Sequence, residues 1–124
     1  MAFEKFENRH KKAEERITIT RSNSIGFPAQ FYNDNNIKDF ISVELFWNAD
    51  TREIGIVFTK EEPEKKSGFT IAKSKEGYGG SIVARSFFKY YKIDTKVVYG
   101  KYEWTKVSQP GTEDMFVISL VNRQ

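Results

Sequence analysis

The feature that most limits what this chain can fold into is a repetition of its own sequence. Phe69-Thr70-Ile71-Ala72-Lys73-Ser74 restates Ile17-Thr18-Ile19-Thr20-Arg21-Ser22, with Thr18 and Thr70 lying 52 residues apart. The segment 83–93, VARSFFKYYKI, can be laid on 27–37, FPAQFYNDNNI, so that Phe87 falls on Phe31 and Ile93 on Ile37 at a spacing of 56. The four extra residues fit the loop KEGYGGS, 75–81, where an insertion costs little. Trp104 then answers Trp47, and the run 115–120 takes the place of 54–58. Two units of roughly 50 residues, each marginal by itself, gain stability by sharing one core.

Both units read in the same order. In Ile17-Thr18-Ile19-Thr20 the β-branched residues alternate with period two, which predicts a strand. Arg21-Ser22-Asn23-Ser24 is turn chemistry. Ile25-Gly26-Phe27 is a short extended piece that must stop at Pro28, which is expected to open one helical turn at its first position. The asparagines of Asn33-Asp34-Asn35-Asn36 let the chain leave that turn, since Asn tolerates the left-handed conformation. ISVELFW, 41–47, then pairs with 53–58 as a hairpin across Asn48-Ala49-Asp50-Thr51. The expectation is a mainly β domain, 17–122, made of pseudo-repeat 17–59, a proline-containing charged linker 60–67 and pseudo-repeat 68–122, each repeat with one short helical turn. The charge-dense segment 1–16 reads as a tail or a frayed helix.

Composition removes several classes of function. There is no cysteine and a single histidine, His10, so thiolate sites, the usual zinc constellations and the Ser-His-Asp or Cys-His triads cannot be assembled within one chain. The residues call for no metal and no cofactor. Carboxylates alone remain for catalysis, and those of 60–66 and of Glu113-Asp114 fall in predicted loops as solvated charges do, so the chain reads as non-enzymatic. The longest apolar runs fall short of the roughly 20 residues that span a bilayer, and no segment resembles a signal peptide, so the expected location is cytoplasmic, with no membrane partner. A formal charge of +3 and a pI near 9.0 lean mildly toward an anionic partner such as nucleic acid.

The unit built from Thr18-Ile19-Thr20-Arg21-Ser22-Asn23-Ser24-Ile25-Gly26-Phe27-Pro28-Ala29-Gln30-Phe31, followed by Ile37, Val43-Glu44-Leu45 and Ile54-Gly55-Ile56, resembles the AbrB/MazE/MraZ group of swapped-hairpin proteins. The resemblance covers 17–58 well and 69–120 loosely, and it departs at Ala84, where the family's proline would stand, and at Gly26, where many relatives carry a base. It implies a small swapped-hairpin or double-psi-like β-barrel formed by two units within one chain. It also implies DNA binding and transcription regulation through the polar loop after the first strand. Carried over by position, the nucleic-acid-binding residues would be Arg16, Arg21, Ser22 and Asn23 in the first half and Lys73 and Lys75 in the second. The chemistry suits that role, because cationic groups neutralise phosphates and arginine and asparagine can also reach base edges.

Other features carry competing readings. Residues 85–92, RSFFKYYK, interleave aromatics with bases as a single-strand-binding surface does, yet Val83, Phe87 and Tyr91 share one helical face and Arg85 and Lys89 another, as in an amphipathic turn packed on a core. Gly77-Tyr78-Gly79-Gly80 lacks the Lys-Ser/Thr of a phosphate loop and reads as a hairpin connection. Trp47 and Trp104 read as caps on the core. The alternative function is a protein-interaction or assembly module of β-barrel type, self-association included, with its interface at Tyr90, Tyr91 or Trp104.

Overall fold

A computed structural model of the chain describes residues 14–63, 68–74, 79–108 and 113–121. Among them lie ten strands and three short helices, so the protein is mainly β. The first half runs β1 (Ile17–Ile19), β2 (Ser24–Pro28), α1 (Ala29–Asp34), a 3₁₀ turn (Ile37–Asp39), β3 (Ser42–Asn48) and β4 (Glu53–Thr59). The second runs β5 (Gly68–Thr70), β6 (Ala72–Lys73), β7 (Gly79–Val83), α2 (Arg85–Tyr90), α3 (Thr95–Val98), β8 (Gly100–Tyr102), β9 (Trp104–Val107) and β10 (Met115–Ser119). Of the segment 1–16 only 14–16 are described, and these are neither helix nor strand.

The strands form two five-stranded antiparallel sheets, ordered β6-β7-β2-β1-β8 and β5-β3-β4-β10-β9. Each half has its own hairpins, β1 with β2 and β3 with β4 in the first, β6 with β7 and β9 with β10 in the second. Like strands then pair across the halves: β2 meets β7 with Gly26 opposite Ser81, and β4 meets β10 with Gly55 opposite Val117. The outer strands are exchanged reciprocally. β1 of the first half pairs with β8 of the second, and β5 of the second pairs with β3 of the first. Only Ile71 separates β5 from β6, and only Glu103 separates β8 from β9, so 68–73 and 100–107 are two bent strands, each starting in one sheet and ending in the other. Where the sequence predicts a barrel, the described strands form two sheets joined at two corners.

At a spacing of 56 the two halves match in backbone detail. α1 and α2 have the same length, and Asn35 and Tyr91 close them with the same pair of amide bonds, to the carbonyls of Asn33 and Phe31 and of Lys89 and Phe87. One residue on, Asn36 (φ 54°) and Lys92 (φ 56°) both turn left-handed. Asn23 (φ 67°), just before β2, and Gly79 (φ 118°), the first residue of β7, are also 56 apart and both have positive φ. Pro28 stands one position earlier than expected: it is still extended, pairs with Gly79, and the helix begins at Ala29. Its missing N–H is harmless there, and its fixed φ suits a residue at the strand-to-helix handover.

One cluster of buried side chains serves both halves. Phe31 is fully buried and its ring lies 5.1 to 6.1 Å from those of Phe58, Trp104 and Phe116, with Phe27 at 5.8 Å. On α2 the buried pair is Phe87 and Phe88, whereas Val83 and Tyr91, expected on the same face as Phe87, are exposed. Val83 belongs to β7 and so follows the strand's alternation, and Tyr91 lies past the last helical residue. Trp47 and Trp104 pack against the core and stand at the ends of a row across four strands, Trp47, Ile54, Ile118, Trp104.

Candidate nucleic-acid interface

The β1–β2 turn is closed by the Thr20 amide donating to the Ser24 carbonyl at 2.9 Å and by the Ser24 amide donating to Thr20 Oγ1 at 3.1 Å. Asn23 adopts the left-handed conformation that Asn accepts more readily than other side chains do. Its carbonyl then receives the Ala84 amide at 2.8 Å, just before α2. From α3 the buried Thr95 hydroxyl lies 3.1 Å from both the Arg21 carbonyl and Asn23 Oδ1. These bonds tie the turn to two elements more than 60 residues further along the chain, and they fix it against the start of α2 and of α3.

Between these elements opens a cleft of about 270 Å³ lined by Arg21, Arg85, Lys89 and Lys96, with Asp94 as its carboxylate and Asn23 and Thr95 among its polar groups. Asp94 is occupied as the N-cap of α3, accepting from the Lys96 amide at 2.9 Å. The Arg21 guanidinium lies 4.1 Å from the Tyr99 ring centroid and donates to the Tyr99 hydroxyl at 2.7 Å, which orients it over the cleft's edge. Among the described residues the ion pairs engage Arg16, Lys101 and Lys106, leaving Arg85, Lys89 and Lys96 to solvent. Like charges gathered this way repel unless an anion joins them.

The carboxylates gather elsewhere. The Glu15 carboxyl is pushed up by burial first and then by Asp34 and Glu103, and Asp34, Glu113 and Asp114 line a separate cavity of about 190 Å³.

The positions named from the sequence are not brought together. Arg21 and Asn23 belong to the cleft, Asn23 as a support for the turn. Ser22 shares a 3.1 Å hydrogen bond with Thr20 beside it. Arg16 is held by Glu14 through contacts of 2.9 and 3.0 Å, which bring the Glu14 carboxyl down to about 2 and raise the guanidinium. Lys73 donates to the Lys38 carbonyl at 2.6 Å and lines a different hollow of about 400 Å³ beside Gly79 and Gly80. It lies near the Pro28/Gly79 end of the β2–β7 ladder, while Arg21 lies beyond the Ser24/Val83 end. The Arg21 and Lys73 loops therefore lie at opposite ends of the ladder and line different cavities. Lys75 falls outside the described residues.

Arg85 and Lys89 belong to the run 85–92, which the sequence left to an amphipathic turn packed on the core, and Lys96 carried no signal of its own. What singles out the bases of α2 is the comparison between halves. At a spacing of 56, Arg85, Lys89 and Tyr90 stand where α1 has Ala29, Asn33 and Asp34, while the buried positions stay aromatic in both. The scaffold is served by either set, since none of these positions is buried in either half. Comparison of the chain with family models, with curated proteins and with solved structures gives no match.

Proposed function

We propose that the protein is a non-enzymatic nucleic-acid-binding protein, a regulator of the AbrB/MraZ-like kind, which holds the phosphate backbone in the cleft between the β1–β2 turn, α2 and α3. The observation that carries this reading is the convergence of Arg21, Arg85, Lys89 and Lys96 on one open cleft. The segment 85–99 holds four bases against one acid, so a chain with a net charge of only +3 still presents a concentrated positive face. Arginines grip phosphate oxygens with paired donors and lysines act as mobile point charges, a division suited to backbone contact without a fixed sequence.

Neutralising about four phosphates gives a slope of log K against log salt near −3, or a loss of about 60-fold between 50 and 200 mM. The test is fluorescence anisotropy with labelled random DNA and RNA, duplex and single-stranded, over that salt range. The double variant Arg85→Glu/Lys89→Glu is expected to lose binding by about 100-fold or more, each reversal removing one favourable charge contact and adding a repulsive one. Absence of binding at about 50 mM salt, where such contacts are strong, overturns the proposal.

A further inference from the structure

Next to the cleft, α2 ends in an aromatic row that the fold does not cover. Tyr90 is 76% exposed and Tyr91 41% exposed, and their rings lie 4.8 Å apart, edge to face. Tyr91 continues to Trp47 of β3 at 6.1 Å, and the Arg52 guanidinium lies 5.6 Å from the Trp47 ring centroid. Behind the row Phe87 holds Tyr91 at 5.2 Å. The row thus bridges the two halves and terminates in a cation at one end, while the solvent-facing positions of α2, Arg85, Ser86 and Lys89, lead from its other end to the cleft.

Two further observations indicate what this surface is for. A tyrosine three-quarters exposed leaves a large ring in water, and its counterpart in the first half is Asp34, so packing does not require it. Lys92 holds a left-handed conformation that its counterpart fills with Asn36, which is the better residue for it. The chain keeps a positive charge there at a conformational cost.

We infer that the protein takes single-stranded nucleic acid, with bases stacked on Tyr90 and Tyr91 and the flanking phosphates on Arg85, Lys89 and the cleft. This rests on the nucleic-acid reading above and names its substrate class. In a duplex the base faces are occupied by neighbouring pairs, so an exposed ring has nothing to stack on, whereas an unpaired base offers its face to any aromatic. Charge complementarity selects the polymer, and the aromatic row selects its unpaired form.

The experiment measures anisotropy with a 12-nucleotide single-stranded DNA, the RNA of the same sequence and the corresponding DNA duplex, on the full chain and on Tyr90→Ala, Tyr90→Phe and Arg85→Glu/Lys89→Glu. Tyr90→Ala is expected to weaken single-strand binding by roughly 5- to 150-fold, the range one base–aromatic stack contributes. It should leave duplex binding unchanged, and Tyr90→Phe, which keeps the ring, should restore single-strand affinity. Whichever of DNA and RNA binds more tightly identifies the natural strand. Duplex binding equal to single-strand binding, or a Tyr90→Ala chain that binds single strands as well as the parent, overturns the inference and leaves the backbone-binding proposal standing. Failure of all three probes overturns both. A homo-oligomer that buries Tyr90 overturns the inference as well, and assigns this surface to self-association.

Discussion

Single residues decide where this chain can turn. Gly79 pairs with Pro28 and holds φ at +118°, and a Cβ placed there would stand 2.3 Å from the Phe27 carbonyl oxygen. Backbone cannot yield as a side chain does, so Gly79→Ala should cost at least about 3 kcal/mol in chemical denaturation, since strain and overlap add. Gly26, the opposite case, would meet nothing nearer than 3.8 Å and has an ordinary φ. Gly26→Ala should therefore stay within about 1 kcal/mol of the parent. Equal costs at the two sites would mean that the β2–β7 ladder is not held as described. Sequence identifies the glycines, and it places Gly77, Gly79 and Gly80 in a loop, but it does not say which one faces a carbonyl. That depends on which strand lies opposite, and β2 and β7 are about 50 residues apart.

Among the elements, strands were the more legible. β1, β3 and β4 follow a period-two alternation of β-branched and aromatic residues, and the structure keeps them within a residue of where that pattern puts them. α3 and β8 are four and three residues long, too short to display any period, and they went unseen. The bends at Ile71 and Glu103 were hidden too, because a strand that changes sheets does so for the sake of its neighbours. The cleft was half legible for the same reason. Turn chemistry marks Arg21 and Asn23, but Arg85 and Lys89 join them through the Ala84 amide on Asn23, and Lys96 through Thr95, bonds that span more than 60 positions. The two helices offer a test at this scale. Lys92→Gly removes a left-handed lysine just after α2, and should raise stability by about 0.5 to 1 kcal/mol while weakening nucleic-acid binding. A fall in melting temperature would show that the lysine side chain, and not the backbone, secures this helix end.

At the scale of the molecule, pairing follows a two-fold pattern while charge and aromatic content do not. One helix presents Asn33 and Asp34 to solvent and its counterpart presents Lys89 and Tyr90, so a symmetric frame carries a one-sided surface. The frame itself depends on reach. Eight residues separate Thr59 at the end of β4 from Gly68 at the start of β5, and the pairings opposite Ser42 and Glu44 place those ends about 12 Å apart, two strand spacings across and two residues along. A connection of two residues spans only about 10 Å. Cutting 60–67 to two residues should therefore deny β5 its place beside β3 of the same molecule, and leave it to find β3 of a second one. The effective concentration supplied by the natural connection, of millimolar order, would be lost. Light scattering should then report a doubled mass, with the two chains closed by a two-fold axis; a monomer of parental stability would contradict this. The length of a charged stretch thus sets whether β5 can close on its own chain or must close on another.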